Sequence, residues 1–374
     1  MKSLKHLIKL VSIILIFPSP CLGQSGVFTY TEVNNEKDIF VEKQIIEYKS
    51  IVEYLPKNYV KNGSVDYTSH IQKAIDDHTN IVFPDFPVMI NDNGLKLKCN
   101  SNIYFQKNSS VIMKPSVKSK FSFFYLRGLD NVNIYNPKLI GDRKKHIDNK
   151  GEWGMGISIY GSTNINIYNI DIKDTWGDGI YINSQKDKQS RNVLIRNGHI
   201  DNARRNGISI ISGENITIDN VLVSNTNGTR PAAGIDIEPN HRTDVLKNIT
   251  LKNIKTINSE NEGILIVLTR IGSPDFNKEV SIIIENHIDV GSNYAMRFGS
   301  GFRKNDKPLA GEIKIENSRW DNFRNDGIIK ITGNLNNLPK VSFKNPKVEK
   351  GQSIDFTKHL KRIQKSNKQF QIVN

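Results

Sequence analysis

Three carboxylates stand at spacings that can do chemistry. Asp236 and Glu238 lie two residues apart in Gly234-Ile-Asp-Ile-Glu-Pro, and Asp178 lies in Trp176-Gly-Asp-Gly. Residues two apart on a strand face the same way, with Cα atoms roughly 6.6–7 Å apart. Cleavage of a glycosidic bond needs one carboxylic acid to protonate the leaving oxygen and a second carboxylate as base or nucleophile. Carboxyl separations of about 6.5–9.5 Å go with inversion and about 5–5.5 Å with retention. Two carboxylates close together also push one pKa up, which suits the acid. Against this stand plainer readings. Asp236 and Glu238 can be a solvated face paired with Arg204, Arg205 or Arg242, and Gly-Asp-Gly around Asp178 is an ordinary turn signal.

Other side chains near these positions suit a sugar ligand. Arg204 and Arg205 can clamp a carboxylate or sulfate, or pair with the acidic cluster. In a lyase, an Arg or Lys can instead take the proton α to a uronate carboxylate. Trp176 can stack on a sugar ring, beside Tyr181 and Asn183. The segment from Gly141 to Gly154 carries His146, Glu152 and Trp153. The turn Asn225 to Ala233 carries Arg230, and His241 and Arg242 follow Glu238-Pro-Asn. Long polar loops over a rigid sheet are where function concentrates. The expected catalytic set is Asp178, Asp236 and Glu238. The expected substrate-binding set is Glu152, Trp153, Trp176, Tyr181, Asn183, Arg204, Arg205, Arg230 and His241. His146 and His241 also read as plain loop residues, and His199 as structural. No His or Cys spacing suggests zinc; no cofactor is expected, with Ca²⁺ at the acidic cluster left open.

What positions these residues is a repeat. Gly156-Ile-Ser-Ile, Gly179-Ile-Tyr-Ile, Gly207-Ile-Ser-Ile, Gly234-Ile-Asp-Ile and Gly263-Ile-Leu-Ile recur, with glycines 23, 28, 27 and 29 residues apart. Glycine followed by alternating isoleucines at this spacing reads as successive coils of a parallel β-helix. The isoleucines point inward, so the residues between them form outward columns. One column holds Ser158, Tyr181, Ser209, Asp236, Leu265 and Arg297. The next holds Tyr160, Asn183, Ile211, Glu238, Val267 and Gly299. Before each glycine stand Met155, Asp178, Asn206, Ala233, Glu262 and Asp326. The three carboxylates are thus expected on one outer surface. The register loosens at Ala295 and slips at Gly327-Ile-Ile-Lys-Ile, where a bulge or the end of the solenoid is expected. A second register, Asn131, Asn164, Asn192, Asn215 and Asn248, each opening an alternating strand, places asparagines at turns. There they can adopt left-handed backbone and stack in a ladder.

Upstream, Asp66-Tyr-Thr-Ser-His-Ile-Gln-Lys-Ala-Ile-Asp predicts a helix capped by Asp66 or Thr68, with Ile71, Ala74 and Ile75 on its apolar face. Short strands follow at Ile81-Val-Phe, Leu95-Lys-Leu, Asn102-Ile-Tyr-Phe and Ser110-Val-Ile-Met. This order, with Thr175-Trp-Gly-Asp-Gly-Ile, Arg205-Asn-Gly-Ile and Gly234-Ile-Asp-Ile-Glu-Pro-Asn, resembles the pectin-lyase-like superfamily over roughly residues 60–340. The resemblance implies an all-β fold, a single-stranded right-handed parallel β-helix with a short helix over its open N-terminal end. Polygalacturonase-like hydrolases and several polysaccharide lyases share that fold. Polygalacturonases carry Asn-Thr-Asp, Gly-Asp-Asp, Gly-His-Gly and Arg-Ile-Lys on successive coils. Asp178 stands where the first aspartate would, but Gly-Asp-Asp and Gly-His-Gly do not occur here, so those catalytic residues do not carry over one by one.

The 374 residues are 37% hydrophobic and 24% charged, which fits a folded solenoid and excludes a disordered chain. Lys2, Lys5 and Lys9 lead into an apolar run, Leu10 to Phe17, and small residues follow at Cys21-Leu-Gly23. That pattern predicts a signal peptide over 1–23 and export to the periplasm or beyond. A lipoprotein anchored through Cys21 is the alternative, which Pro18-Ser19-Pro20 fits poorly. Cleavage would leave Cys99 alone and lower the net charge from +14 to +11. A basic exported chain favours an acidic polysaccharide, unless the lysines simply reflect their source. No other segment is long and apolar enough to span a membrane. The expected layout is an extension over 24–59, the β-helix over 60–345 and a basic tail or cap over 346–374, with a short helix from Phe356 to Ile363. The sequence reading is therefore a polysaccharide-cleaving hydrolase, with Arg205 and Trp176 positioning the sugar. A uronate lyase using Arg205 or His241 is the first alternative. A non-catalytic carbohydrate-binding β-helix is the second. Nucleic acid is not an expected partner, since the positive charge is scattered without a basic-aromatic module.

Overall fold

The Gly-Ile-x-Ile phrases become one face of a right-handed solenoid. The computed structural model describes residues 26–29, 45–301, 303, 305–321, 328–348 and 356–373. The expected signal segment with Cys21, and Asp326 and Gly327 of the glycine register, lie outside the described residues. Among the described residues, nine parallel strands stack into one sheet. They are Leu95–Lys96, Lys120–Arg127, Trp153–Tyr160, Ile180–Asn183, Ile208–Ile210, Ile235–Ile237, Glu262–Val267, Tyr294–Gly301 and Ile329–Asn334. The other faces bond around the corner into a continuous twenty-stranded sheet. In three coils a single strand turns that corner: Thr163–Lys173, Ser190–Asp201 and Gly213–Ser224. No described helix is long and apolar enough to cross a membrane.

The register follows the repeat. Ile157, Ile180, Ile208, Ile235, Ile264 and Met296 pair in sequence, and so do Ser158, Tyr181, Ser209, Asp236, Leu265 and Arg297. The inward isoleucines, from Ile157 and Ile159 to Ile264 and Ile266, are all 0% exposed. Full burial of each contributes roughly 1.5–3 kcal/mol. The slip expected near Gly327 is present: Met296 pairs with Ile329 and Arg297 with Lys330, so the glycine column is continued by Ile328. In the middle coils that column holds glycine because the coils approach closely there. A Cβ on Gly179 would stand 2.7 Å from the Gly207 carbonyl oxygen, and one on Gly207 would stand 2.5 Å from that of Gly234.

The asparagines do what their positions suggest. Asn131, Asn164, Asn192, Asn215 and Asn248 all have φ between 51° and 56°. Their side chains hand hydrogen bonds down the stack, Asn164 to Asn131 at 3.1 Å, Asn192 to Asn164 at 2.9 Å, Asn215 to Asn192 at 3.0 Å and Asn248 to Asn215 at 2.9 Å. A parallel ladder runs through Asn136, Asn169, Asn197 and Asn220. The α-helix Thr68–Asp77 covers the first coil with Ile71, Ala74 and Ile75. Asp66 accepts its first free amide, from Thr68, at 3.0 Å. Gln72 seals the edge strand by bonding both backbone groups of Lys96, at 2.8 and 3.0 Å. At the other end the helix Phe356–Ser366 is followed by a strand, Phe370–Val373, that pairs with Lys340–Lys344. The sheet therefore runs on beyond residue 345.

One part of the interior is polar, which the isoleucine pattern did not announce. The inward column Val223, Thr256, Asp289, Trp320 passes from apolar to polar and back. The Trp320 indole donates to His287 Nδ1 at 3.2 Å, His287 Nε2 donates to Thr256 Oγ1 at 2.8 Å, and Thr256 donates to Asp289 at 2.6 Å. His287 is fully buried and neutral in this chain of donors; burial holds its pKa down at about 3. The unfolded chain binds a proton near the ordinary value of about 6.5. Stability contributed by neutral His287 is therefore complete above pH 6.5 and lost as pH falls toward 3, at up to about 1.4 kcal/mol per pH unit. The urea midpoint is expected to drop between pH 7 and pH 5, and to drop less in His287→Gln. Equal slopes in the two proteins would show that His287 does not carry the effect.

Candidate active site

The middle coils of the nine-stranded sheet gather the three carboxylates, in an arrangement that the outward columns alone did not fix. Asp178 and Asp236 are each 0% exposed, although both point away from the solenoid core, and Glu238 is half-buried. The expectation of three carboxylates on an open surface is corrected accordingly. Other side chains of the same face lie over the first two.

Asp178 is fully engaged. Its Oδ1 accepts from Arg205 Nη1 at 3.3 Å and the Asn206 amide at 3.1 Å; its Oδ2 accepts from Arg205 Nη1 at 3.0 Å and Ser209 Oγ at 2.7 Å. Burial pushes this carboxyl above the ordinary carboxylate value, and Arg205, Ser209 and Asn206 oppose the shift without cancelling it. Only donors face its oxygens, the bonding pattern of a carboxylate in an ion pair. For Arg205, burial works to lower the pKa, and the charges of Asp178, Asp236 and Glu152 more than reverse it. The guanidinium stays charged. Glu152 lies 3.9 Å from Arg205 Nε.

Asp236 differs. Its Oδ2 accepts from Asn206 Nδ2 at 2.9 Å, and its Oδ1, also buried, has no partner. Burial raises its pKa well above the ordinary carboxylate value, and the neighbouring Glu238 charge raises it further. Arg205 opposes the shift without cancelling it. Asn206 is the joint between the two aspartates. Its amide nitrogen reaches Ser209 Oγ at 3.0 Å as well as Asp236, and its Oδ1 accepts from the Ala233 amide at 3.1 Å. The carboxylate-based reading passed over Asn206 and Ser209. The signal was available: they occupy the columns of Asp178 and Asp236, one coil away.

The remaining candidates divide. Tyr181 is 9% exposed and packs on Tyr160 with ring centroids 5.6 Å apart; burial pushes its phenol up. Asn183 donates to the Tyr181 hydroxyl at 3.2 Å. Trp153 is exposed at the rim, 43% accessible, with Lys120 Nζ 5.1 Å from its ring centroid. Trp176, expected to stack on a sugar, is instead 5% exposed, with His146 and Arg204 each 3.8 Å from its ring centroid. Arg204 also donates to the Gly151 carbonyl at 2.7 Å, fastening the Gly141–Trp153 loop. His146 is locked in place by Asp142 at 2.7 Å, so it serves that loop's packing. Arg230 and His241 are exposed, and no side-chain contact among the described residues ties either to the cluster. Arg242 pairs with Asp306 at 2.8 Å. Among the described residues no group of three His, Cys, Asp or Glu side chains gathers to hold a metal ion.

Comparison with known proteins agrees with the fold. A family described as "Right handed beta helix region" matches residues 84–271, just over half of the chain. The uncharacterized protein YclG of Bacillus subtilis (strain 168) is 31% identical over a stretch covering 39% of this chain and 29% of that protein. The match thus takes in under a third of the relative's length. Among solved structures, a tailspike protein mutant of E. coli bacteriophage HK620, in complex with a hexasaccharide, superposes with a TM-score of 0.58. It is 13% identical, over 85% of this chain and 60% of that one. A ι-carrageenase complexed to ι-carrageenan fragments has a TM-score of 0.55 at 15% identity, over 73% and 72%.

Removing Asp178 leaves Arg205 buried without its main counter-charge. Asp178→Ala is expected to destabilise the protein by roughly 3–5 kcal/mol, read as a fall in urea midpoint. The half-buried Glu238→Gln should shift it by less than about 1 kcal/mol. Similar small losses for both would show that the Asp178–Arg205 pair does not hold these coils together.

Proposed function

This chain belongs to the right-handed β-helix family, and we propose that it is an exported, polysaccharide-cleaving member, a glycoside hydrolase working through Asp236 and Glu238. The observation that carries the reading is the state of Asp236. Burial and the adjacent Glu238 charge raise its pKa and so favour its protonated form, and one of its oxygens is left without a partner. A carboxylic acid that holds its proton beside a more exposed carboxylate is what an acid–base pair requires.

In this reading Asp236 gives its proton to the glycosidic oxygen as the bond to the anomeric carbon breaks. Glu238 takes a proton from the water that attacks the same carbon. Asp236 lies on the strand Ile235–Ile237 and Glu238 just past its end; a separation of about 6.5–9.5 Å between the two carboxyl groups would go with inversion. Asn206 and the Asp178–Arg205 pair position Asp236, and Tyr181, Asn183, Glu152 and Trp153 border the sugar. The saccharides held by the tailspike protein and the carrageenase support a glycan as ligand for this fold. The chemistry uses no cofactor.

Uronate elimination is less well supported. Its base would be Arg205 or His241. Arg205 is held in its charged form chiefly by the Asp178 carboxylate, so it cannot take a proton. Among the described residues, His241 makes no side-chain contact that would orient it. One observation favours a different second reading, glycan binding without cleavage: the complete burial of Asp178 and Asp236.

Reducing-end release from a panel of acidic and neutral glycans separates these readings. Asp236→Asn and Glu238→Gln are each expected to cut turnover by about 10²–10⁴-fold, with an unchanged circular dichroism spectrum. Wild-type turnover should fall as pH rises and Asp236, whose pKa is raised, loses its proton. Products absorbing in the ultraviolet as unsaturated uronates would instead establish a lyase. Binding with no product from any glycan would establish the second reading.

A further inference from the structure

Toward the N-terminus the nine-stranded sheet passes the aromatic side chains and ends in a basic cleft of about 530 Å³. Lys96, Lys118, Lys120, Tyr125 and Arg127 line it, with Asp92 as the carboxylate in the lining. Lys118 Nζ pairs with Asp92 at 2.6 Å. Lys96, Lys120 and Arg127 are exposed and have no carboxylate partner among the described residues. Two of these cations instead lie over aromatic rings. Lys120 stands 5.1 Å from the Trp153 ring centroid, and Arg127 stands 4.6 Å from that of Tyr160 and 5.5 Å from that of Tyr125. Three cations without counter-charges on a concave floor make a standing positive potential. The rings add flat apolar faces of the kind sugars stack against.

Register ties this cleft to the carboxylates. Lys96 pairs with Tyr125, Tyr125 with Ser158, and the column continues through Tyr181 and Ser209 to Asp236. Five coil steps at about 4.8 Å put the two ends roughly 24 Å apart on one face. Tyr160 and Tyr181 stand between them. One face thus offers cations at one end, rings in the middle and an acid–base pair beyond.

We propose that the Lys96–Lys120–Arg127 cleft is a binding site for an acidic polysaccharide, taking carboxylate or sulfate groups of a chain that lies along the solenoid axis. Its direction toward Asp236 rests on the hydrolase reading; its affinity for acidic glycans does not. A single-stranded nucleic acid has anionic and stacking groups too. The continuity of the cleft with a face that carries a carboxylate pair favours the glycan.

Binding of a hexagalacturonate, a ι-carrageenan hexasaccharide, cellohexaose and a twelve-residue oligothymidylate to the purified protein, read by tryptophan fluorescence and calorimetry, tests this. At least one acidic saccharide is expected to bind, and cellohexaose to bind far more weakly. Lys96→Ala, Lys120→Ala and Arg127→Ala should each weaken acidic-glycan binding roughly two- to fivefold. The triple variant should lose on the order of ten- to a hundredfold, with a shallower salt dependence. Lys120→Arg, which keeps the charge, should retain affinity. These residues are exposed, and an unchanged circular dichroism spectrum of each variant confirms its fold. Acidic-glycan binding that the triple variant does not weaken overturns the cleft, even if the protein cleaves a glycan. Binding lost in the triple variant, with no cleavage by the wild type, keeps the cleft and removes the hydrolase. Oligothymidylate binding as tightly as the acidic saccharides, and lost with the same variants, replaces the glycan by nucleic acid.

Discussion

Every coil of this protein must meet the next at the spacing of hydrogen-bonded strands, about 4.8 Å. That constraint chooses the residues. In the glycine column a Cβ would fall 2.4–2.7 Å from the carbonyl oxygen of the next coil's glycine at Gly156, Gly179, Gly207 and Gly234. At the corners the backbone turns through a left-handed conformation, and asparagine takes it while bonding the asparagine above and below. Packing, turning and pairing are thus solved once and repeated. The isoleucines inside follow because side chains on a strand alternate.

The same stacking gathers the polar groups outside. Columns one coil apart bring Asp178, Asn206, Ser209 and Asp236 within hydrogen-bond reach, although 58 residues separate the first from the last. Two acidic groups removed from water cannot share one solution. Asp178 takes the Arg205 guanidinium and two further donors. Asp236 is left with one donor, an unpartnered oxygen and a neighbouring Glu238, and burial favours its neutral form. The difference between two aspartates of similar burial is therefore a difference in donors, and Arg205 decides it by leaning toward Asp178.

Charge is also graded along the face. The N-terminal coils carry Lys96, Lys120 and Arg127, the middle coils the carboxylates, and the C-terminal coils the Arg297–Glu262 pair at 3.4 Å. Glu262 follows the logic of Asp236: burial raises it, against the pull of Arg297 and Lys330. Inside, the Trp320–His287–Thr256–Asp289 chain gives each partner a donor or an acceptor, so a polar column survives in an interior otherwise built from aliphatic and aromatic groups.

The sequence by itself determined the solenoid, its inward isoleucines, the asparagine ladder, the N-terminal helix and which residues share a column. It could do so because strand alternation and coil stacking are periodic, and a period is visible in one dimension. Tertiary structure decided what lies over each column. Trp176 reads as a free aromatic beside a turn, yet His146 and Arg204, 30 residues before it and 28 after it, close over its ring. Asp178 and Asp236 read as carboxylates on one outer surface, yet both are buried, and the Arg205 guanidinium hydrogen-bonds Asp178. The basic-aromatic cleft was invisible because Lys96, Lys120, Arg127, Trp153 and Tyr160 come from three successive coils. Coil and turn lengths vary from one repeat to the next, so which side chain reaches across to cover another depends on three-dimensional packing, which no fixed spacing records.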